Sequence, residues 1–525
     1  MAPPTNTTHN PFDLPKLRVT YVPDDDTQHL SKQMGDRVPE YFDVQFCPFQ
    51  PLDQDPIFAA VSKKHVLVVR ISDTGDDSTN PCSIIRVIRD ADEEARNYTC
   101  TWARQKTTGK PLLCVAGEDA KIKIYDVIEG VVVDVFVGHG MDINDLVTCP
   151  TDPSILASAS DDTTVRIWSL DPVHEKQPCL CILGGEGHQW NLLTIAWHDT
   201  GRYIVSSGHD QTVNLNLTTA SGPFRTCRRN LYDVPLRSII PISRQTRFTA
   251  ASSTGKHTLT PFLLPLSLTF LSVAFYGDNI ISRACHDNII ALWRIEGFSS
   301  KDDPPPPEAA PTTIDPTLLT RSAFVKRSAD DDNPPQLYTR LASYYTPGCG
   351  PQFFMRFRLH QAPGQNPVLA FCNAAGKIFF WDFARITGYH EYTRALLNPD
   401  ADAEPPRPSW LAPIVHRGRG DGKPRTEPTV RERKAAEKSQ LTDSELIPAL
   451  TQRFSKETLQ SWDGKYNPGD PHTPLHAHKT EIIGISTFVG RQAAWSPGGE
   501  WCVVVGSINI VLVLQRWPRP KNSSG

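Results

Sequence analysis

The stretch ILASASDDTTVRIWSL, residues 155–170, decides the fold. An apolar run leads into a tight polar turn, and a second β-branched run ends at Trp168. Two such runs around a short turn read as a pair of strands. Asp162 stands six residues before Trp168, and the same offset joins Asp119 to Tyr125, Asp210 to Asn216 and Asp287 to Trp293. Four aspartates at one offset in widely separated segments mark a repeat. Segments 58–71, 369–383 (which carries Trp381) and 502–515 keep the hydrophobic pattern and lose the aspartate.

Two copies are preceded by Gly-His, at Gly138-His139 and Gly187-His188. Gly-His, then an aspartate in a turn, then a tryptophan is the WD-repeat signature, with four strands per propeller blade. The chemistry is local. The aspartate accepts hydrogen bonds in the turn, the histidine bridges it to a strand hydroxyl, and the tryptophan fills space between blades. His139, Ser160 and Asp162 share the composition of a catalytic triad, but nothing around them resembles a nucleophile elbow, and the structural network is the preferred reading. The expected fold is an all-β, seven-bladed WD-repeat propeller. KLRVTYV, residues 16–22, supplies the outer strand that closes the last blade, because a ring must leave no unpaired edge.

Composition narrows the function. The 525 residues carry a formal net charge of −4, so no global field favours nucleic acid or anionic membrane. The 12 cysteines are irregularly spaced and the first residues lack a basic-then-apolar signal region. A reducing compartment, cytosol or nucleus, is expected. The longest apolar run, 261–277, is interrupted by Pro265 and too short to span a bilayer comfortably, so no membrane association is expected. Prolines number 46, about 9% against an average of about 5%, and cluster at 303–311, 399–428 and 463–474. These read as loops or disordered insertions. The expected organisation is a disordered N-terminus over 1–16, the propeller over 17–517 with insertions near 218–272, 299–335 and 395–474, and a tail at 518–525.

Other constellations are weak. Cys179 and Cys181 face one way on a strand without further ligands nearby, so no metal is expected. His472, His476 and His478 read as a solvated loop, and the basic tract 416–438 as a solvated insertion. No phosphate-binding glycine loop, hydrolase motif or cofactor fingerprint is present, so neither catalysis nor a cofactor is expected.

Three stretches go beyond the repeat consensus: RDADEEARNYTCTW (89–102), GHGMDINDLVTCPTDPSILASAS (138–160) and LGGEGHQWNLLTIAWH (183–198). They closely resemble the EED (embryonic ectoderm development) family, WD-repeat subunits of Polycomb repressive complex 2. Weaker matches at 275–293, 355–360 and 490–501 follow in the same order. Residues 244–272 depart strongly from the family.

The resemblance implies an aromatic cage for trimethyl-lysine at one end of the channel. Carried over by local motif, its walls fall on Phe58, Tyr98 and Phe354, with Phe353 where the family has a tryptophan against the lysine stem. A family tyrosine is likewise phenylalanine here. Arg356 and Arg491 fall near the rim, where they would bond the peptide backbone, and Asn144 lies on a loop of the same region. A trimethylammonium has no N–H to donate, so ring faces suit it. The implied partners are an enhancer-of-zeste-type histone methyltransferase, other Polycomb repressive complex subunits and the trimethylated histone H3 tail. The nucleosome would be met indirectly, in the nucleus. The alternative is a substrate-recognition propeller of a ubiquitin ligase, or a general scaffold without methyl-lysine binding.

Overall fold

A computed structural model describes residues 9–23, 40–73, 79–90, 92, 96–184, 188–218, 230–235, 270–285, 287–305, 321–325, 336–350, 352, 354–396, 405–414, 416–417, 424–425, 453–485 and 487–517. Seven antiparallel blades follow in chain order, each starting with the strand nearest the central axis. These inner strands are Tyr41–Phe46, Asn97–Arg104, Ile143–Thr148, Leu192–Trp197, Phe270–Tyr276, Phe357–His360 and Gly490–Trp495. The seventh blade is completed by Lys16–Tyr21, paired with Val511–Gln515, so the two ends of the chain close one ring.

The second strand of each blade is buried along nearly its whole length because both faces are covered. Ile57–Ser62 and Trp501–Gly506 show the pattern. The cores therefore lie between neighbouring blades. Leu67 and Val69 of blade one, for instance, pack with Val503, Val505 and Val513 of blade seven. Trp168, Trp293, Trp381 and Trp501 are fully buried.

A ring of polar side chains ties the inner strands around the channel. Asp43 accepts from Thr99 Oγ1 (3.0 Å) and Cys100 N (2.9 Å) in blade two, and from Gln492 Nε2 (3.3 Å) in blade seven. Thr99 Oγ1 accepts from Leu146 N in blade three, and Asp145 accepts from Ile195 N in blade four.

Two segments differ from the sequence reading. The N-terminus expected to be disordered through residue 16 is bound from Asn10 onward. Arg516 donates to the carbonyls of Asp13 (2.7 Å) and Pro11 (2.8 Å), Trp517 to that of Asn10 (3.0 Å) and Lys479 to that of Pro15 (2.6 Å). A proline-rich strip has carbonyls to spare and few N–H groups, so cationic donors suit it. The insertion near 395–474 also contains ordered structure. Helices α1 (Phe383–Leu396) and α2 (Lys456–Tyr466), between the third and fourth strands of blade six, build a core of Tyr389, Tyr392, Leu411, Leu459, Trp462 and Tyr466. Ser455 caps α2, its hydroxyl accepting from Thr458 N. His478, read as solvated, is buried there. Its Nδ1 accepts from Asp382 N (2.9 Å) and its Nε2 donates to the Lys465 carbonyl (3.0 Å).

Phe353, residues 244–269, the tail 518–525 and most of the basic tract 416–438 lie outside the described residues, as do large parts of the expected insertions 218–272 and 299–335.

Candidate aromatic cage

One irregularity recurs around the ring. Near the start of the inner strand, pairing with the next strand slips by one residue in six of the seven blades. The residue passed over is Phe42 in blade one, Tyr98 in blade two, Asn144 in blade three, Leu193 in blade four, Leu271 in blade five and Arg491 in blade seven. A β-bulge leaves its extra residue out of the ladder and re-aims the side chain. In blade six the inner strand begins at Phe357, and Phe354 to Arg356 lead into it.

Three aromatic rings gather at this mouth. Phe42 lies 5.9 Å from Tyr98 and 6.5 Å from Phe354, centroid to centroid, at interplanar angles of 64° and 88°. All three side chains are half-buried. Phe354 packs on Leu193 and Cys285, and its backbone is left-handed with φ +56°. That conformation costs about 1–2 kcal/mol for a residue with a Cβ, so surrounding contacts must hold it.

Phe58 is not part of this group. It is fully buried in the ladder of blade one, opposite Phe46 and packed on its ring at 5.5 Å. Strand alternation sends it into the inter-blade core, while the bulge sends Phe42 to the mouth. The blade-one ring at the mouth is therefore Phe42, which sequence reasoning missed. A signal did exist. The passed-over residue is followed by a polar one in all six blades: Asp43, Thr99, Asp145, Thr194, Ser272 and Gln492. These turn inward, so the preceding residue is displaced toward the rim.

Arg356 is not a free rim group. Its guanidinium donates to Asp145 Oδ1 (2.9 Å) and to the carbonyls of Asn144 (2.9 Å) and Leu193 (2.7 Å). It spans the channel and joins blade six to blades three and four. Burial pushes the Asp145 carboxyl up, and the Arg356 charge opposes the shift. Asn144 is buried as well, its amide donating to Asp161 Oδ1 (2.6 Å) and the Leu192 carbonyl (2.7 Å). Both residues brace the mouth. Arg491 does stand at the cage, its guanidinium 5.9 Å from the Phe42 centroid and 3.4 Å from Glu40.

The rim beside Tyr98 carries the carboxyls of Asp142 and of Glu118, the latter also paired with Arg96 (3.2 Å). The Tyr98 hydroxyl donates to Glu118 (3.4 Å), and burial followed by the Glu118 and Asp142 charges pushes its pKa up, so the phenol stays protonated. Burial first, then Asp161 and Glu118, holds the Asp142 carboxyl above the usual range. A cation entering here meets ring faces and carboxylates together.

Beyond Arg356 the channel opens into a cavity of about 430 Å³ lined by Gln45, Thr101, Asp145, Arg358 and Gln492 among others. Its lining mixes these polar groups with Phe46, Trp102, Trp197, Phe275, Phe357 and Trp495. Among the described residues no cluster of three metal-ligating side chains exists, so Cys179 and Cys181 stay a pair.

The repeat residues sit in the blade turns. In blade three, His139 Nδ1 donates to Asp162 Oδ2 (2.8 Å) and its Nε2 meets Ser158 Oγ (2.6 Å), which also accepts from Trp168 Nε1 (2.8 Å). The serine of the network is therefore Ser158 and not Ser160, whose hydroxyl donates to the Met141 carbonyl. Blade four repeats it with His188, Asp210 and Ser206, Asn216 replacing the tryptophan. In blade two Lys123 bridges Asp119 (2.7 Å) and Asp90 in place of the histidine. At Asp287 of blade five, burial pushes the carboxyl up, with Arg283 and Arg340 opposing. Trp293 donates to Ser282 Oγ (3.0 Å) and Trp381 to the Leu475 carbonyl (3.2 Å).

Comparison with known proteins gives the frame. The family described as WD domain, G-beta repeat matches residues 130–169 and 177–215. The chain is 39% identical to Polycomb protein EED of Chaetomium thermophilum, over 97% of each. It is 28% identical to Polycomb protein esc of Drosophila melanogaster, over 53% of this chain and 60% of that protein. Among solved structures, it is similar to a chain of the Chaetomium thermophilum Polycomb repressive complex 2, with a TM-score of 0.77 and 40% identity over 97% and 99% of the two chains. A structure of that complex with H3K27me3 and H3K27M contains a chain matched with a TM-score of 0.76 and 40% identity, covering 97% of this chain and 98% of that one.

Proposed function

The chain belongs to the EED family of Polycomb proteins, and on that premise we propose that it is a non-catalytic scaffold that reads trimethyl-lysine on the histone H3 tail. The observation that carries the reading is the meeting of Phe42, Tyr98 and Phe354 at one channel mouth. Each ring facing a trimethylammonium contributes about 0.5–2 kcal/mol, more as water is excluded. Glu118 and Asp142 attract a basic tail and leave the neutral rings to contact the cation.

The partner is an enhancer-of-zeste-type histone methyltransferase within a Polycomb repressive complex, working on chromatin in the nucleus. If the methylated tail binds the active arrangement of that complex better than the inactive one, existing methylation promotes more.

Calorimetric titration of trimethylated and unmodified H3 peptides tests the site. The trimethylated peptide binds tighter, and Phe42→Ala or Tyr98→Ala removes about tenfold of that preference. Equal binding of the two peptides to the unaltered chain would end the reader claim and leave the scaffold role standing.

A further inference from the structure

We propose that Arg283 of blade five is a positioning residue for the cage, holding Phe354 in its left-handed conformation from behind. The inference rests on the reading of the cage as a methyl-lysine site. Arg283, near the end of strand Asn279–Ala284, is fully buried between blades five and six. Its Nη1 donates to the Met355 carbonyl at 3.0 Å, and its guanidinium lies 4.7 Å from the ring centroid of Phe371.

The charge of Arg283 offsets the burial of the Asp287 carboxyl, a task it shares with Arg340, but that does not account for where its donors point. Among the described residues, its Nε and Nη2 are buried without a hydrogen-bond partner. A buried cation with unsatisfied N–H groups is costly. What Arg283 supplies is a fixed carbonyl immediately after Phe354. One residue further on, Arg356 N donates to the Arg491 carbonyl (2.8 Å), while the Arg356 guanidinium is tied to blades three and four. With both following residues anchored, the segment has no slack to return Phe354 to the common backbone region. The ring stays against Phe42, Leu193 and Cys285. A wall set before the ligand arrives spares the ordering cost of binding.

The test is titration of the full chain with trimethylated and unmodified H3 peptides. Arg283→Met keeps the length of the side chain and removes its donors. It is expected to weaken trimethyl-lysine binding about tenfold in folded protein that still assembles with the methyltransferase, with some loss of Tm because the Asp287 carboxyl loses a facing cation. Arg283→Lys keeps a cationic donor and is expected to stay within about twofold of the unaltered chain. In a Phe354→Gly background the wall is gone, and adding Arg283→Met is expected to change affinity by less than about twofold. The proposal is overturned if Arg283→Met binds like the unaltered chain, if lysine fails to rescue, or if the full loss persists without Phe354. Should the methionine variant not fold, Arg283→Gln, with a shorter donor, takes its place under the same expectations. An unaltered chain that does not distinguish the peptides sinks the cage reading itself; a discriminating chain indifferent to Arg283 sinks only the positioning role.

Discussion

Phe42 and Phe58 are aromatic residues of neighbouring strands with opposite tasks. Phe58 fills space between blades, so Phe58→Ala leaves a cavity and is expected to cost about 3–5 kcal/mol of stability. Differential scanning calorimetry should record that loss while the peptide preference of the surviving folded protein is unchanged. Phe42→Ala should do the reverse, sparing Tm and losing binding. Sequence reasoning named Tyr98 and Phe354, whose rings do meet at the mouth, but chose Phe58 over Phe42 in blade one. In YFDVQF the pairing slip is invisible, because strand alternation assumes an unbroken ladder. Arg356 was legible as a residue of the region, but its three inward bonds depend on blades more than 150 positions away in sequence.

At the scale of the element, the blade turn is the unit. Asp162 accepts from His139 (2.8 Å), Gly140 N (3.0 Å), Thr164 N (3.0 Å) and Thr164 Oγ1 (2.7 Å). Asp162→Ala strands a buried imidazole and is expected to cost about 3 kcal/mol. Asp119→Ala should cost about 1 kcal/mol, since Lys123 keeps Asp90 as its partner. Urea unfolding of the two variants checks the order, and equal losses would show that the histidine adds nothing. The turns were legible because their aspartates sit at a fixed offset from a strand end. Helices α1 and α2 were not, because they stand at the two ends of a long proline-rich insertion and form a core only when brought together.

For the whole molecule, closure and acid response belong together. His360 and His478 are buried, chiefly by desolvation held down to about 4 and about 3 from an ordinary 6.5. Both pKa values are depressed on folding, so the unfolded chain takes up protons that the folded chain refuses. Their contribution is complete above about pH 6.5 and declines as pH falls, at about 1.4 kcal/mol per pH unit for each imidazole, until the folded pKa is reached. At pH 5 this amounts to about 2 kcal/mol each. Buried carboxyls held high, such as Asp382, offset part of it, since their penalty eases on protonation. A Tm that drops between pH 7 and pH 5, with both imidazoles still neutral by NMR, is the expected result. Protonated imidazoles at pH 5 in the folded chain would refute it. His360 packs on Trp495 of blade seven and His478 on Tyr466 of α2, both in the quarter of the ring where the chain ends meet.

The repeated slip in the inner strands also separates two kinds of sequence freedom. Residues inside the ladders answer to their cross-strand neighbours, and changing them disturbs the ring. Phe42, Tyr98 and Arg491 stand outside the ladder count, one per blade, around a shared opening. Under the proposed reading, substitution there is expected to alter what the opening recognises while the blades beneath remain intact. A propeller built this way can exchange one ligand for another by point changes at its rim, with the barrel of strands serving as an unchanging mount.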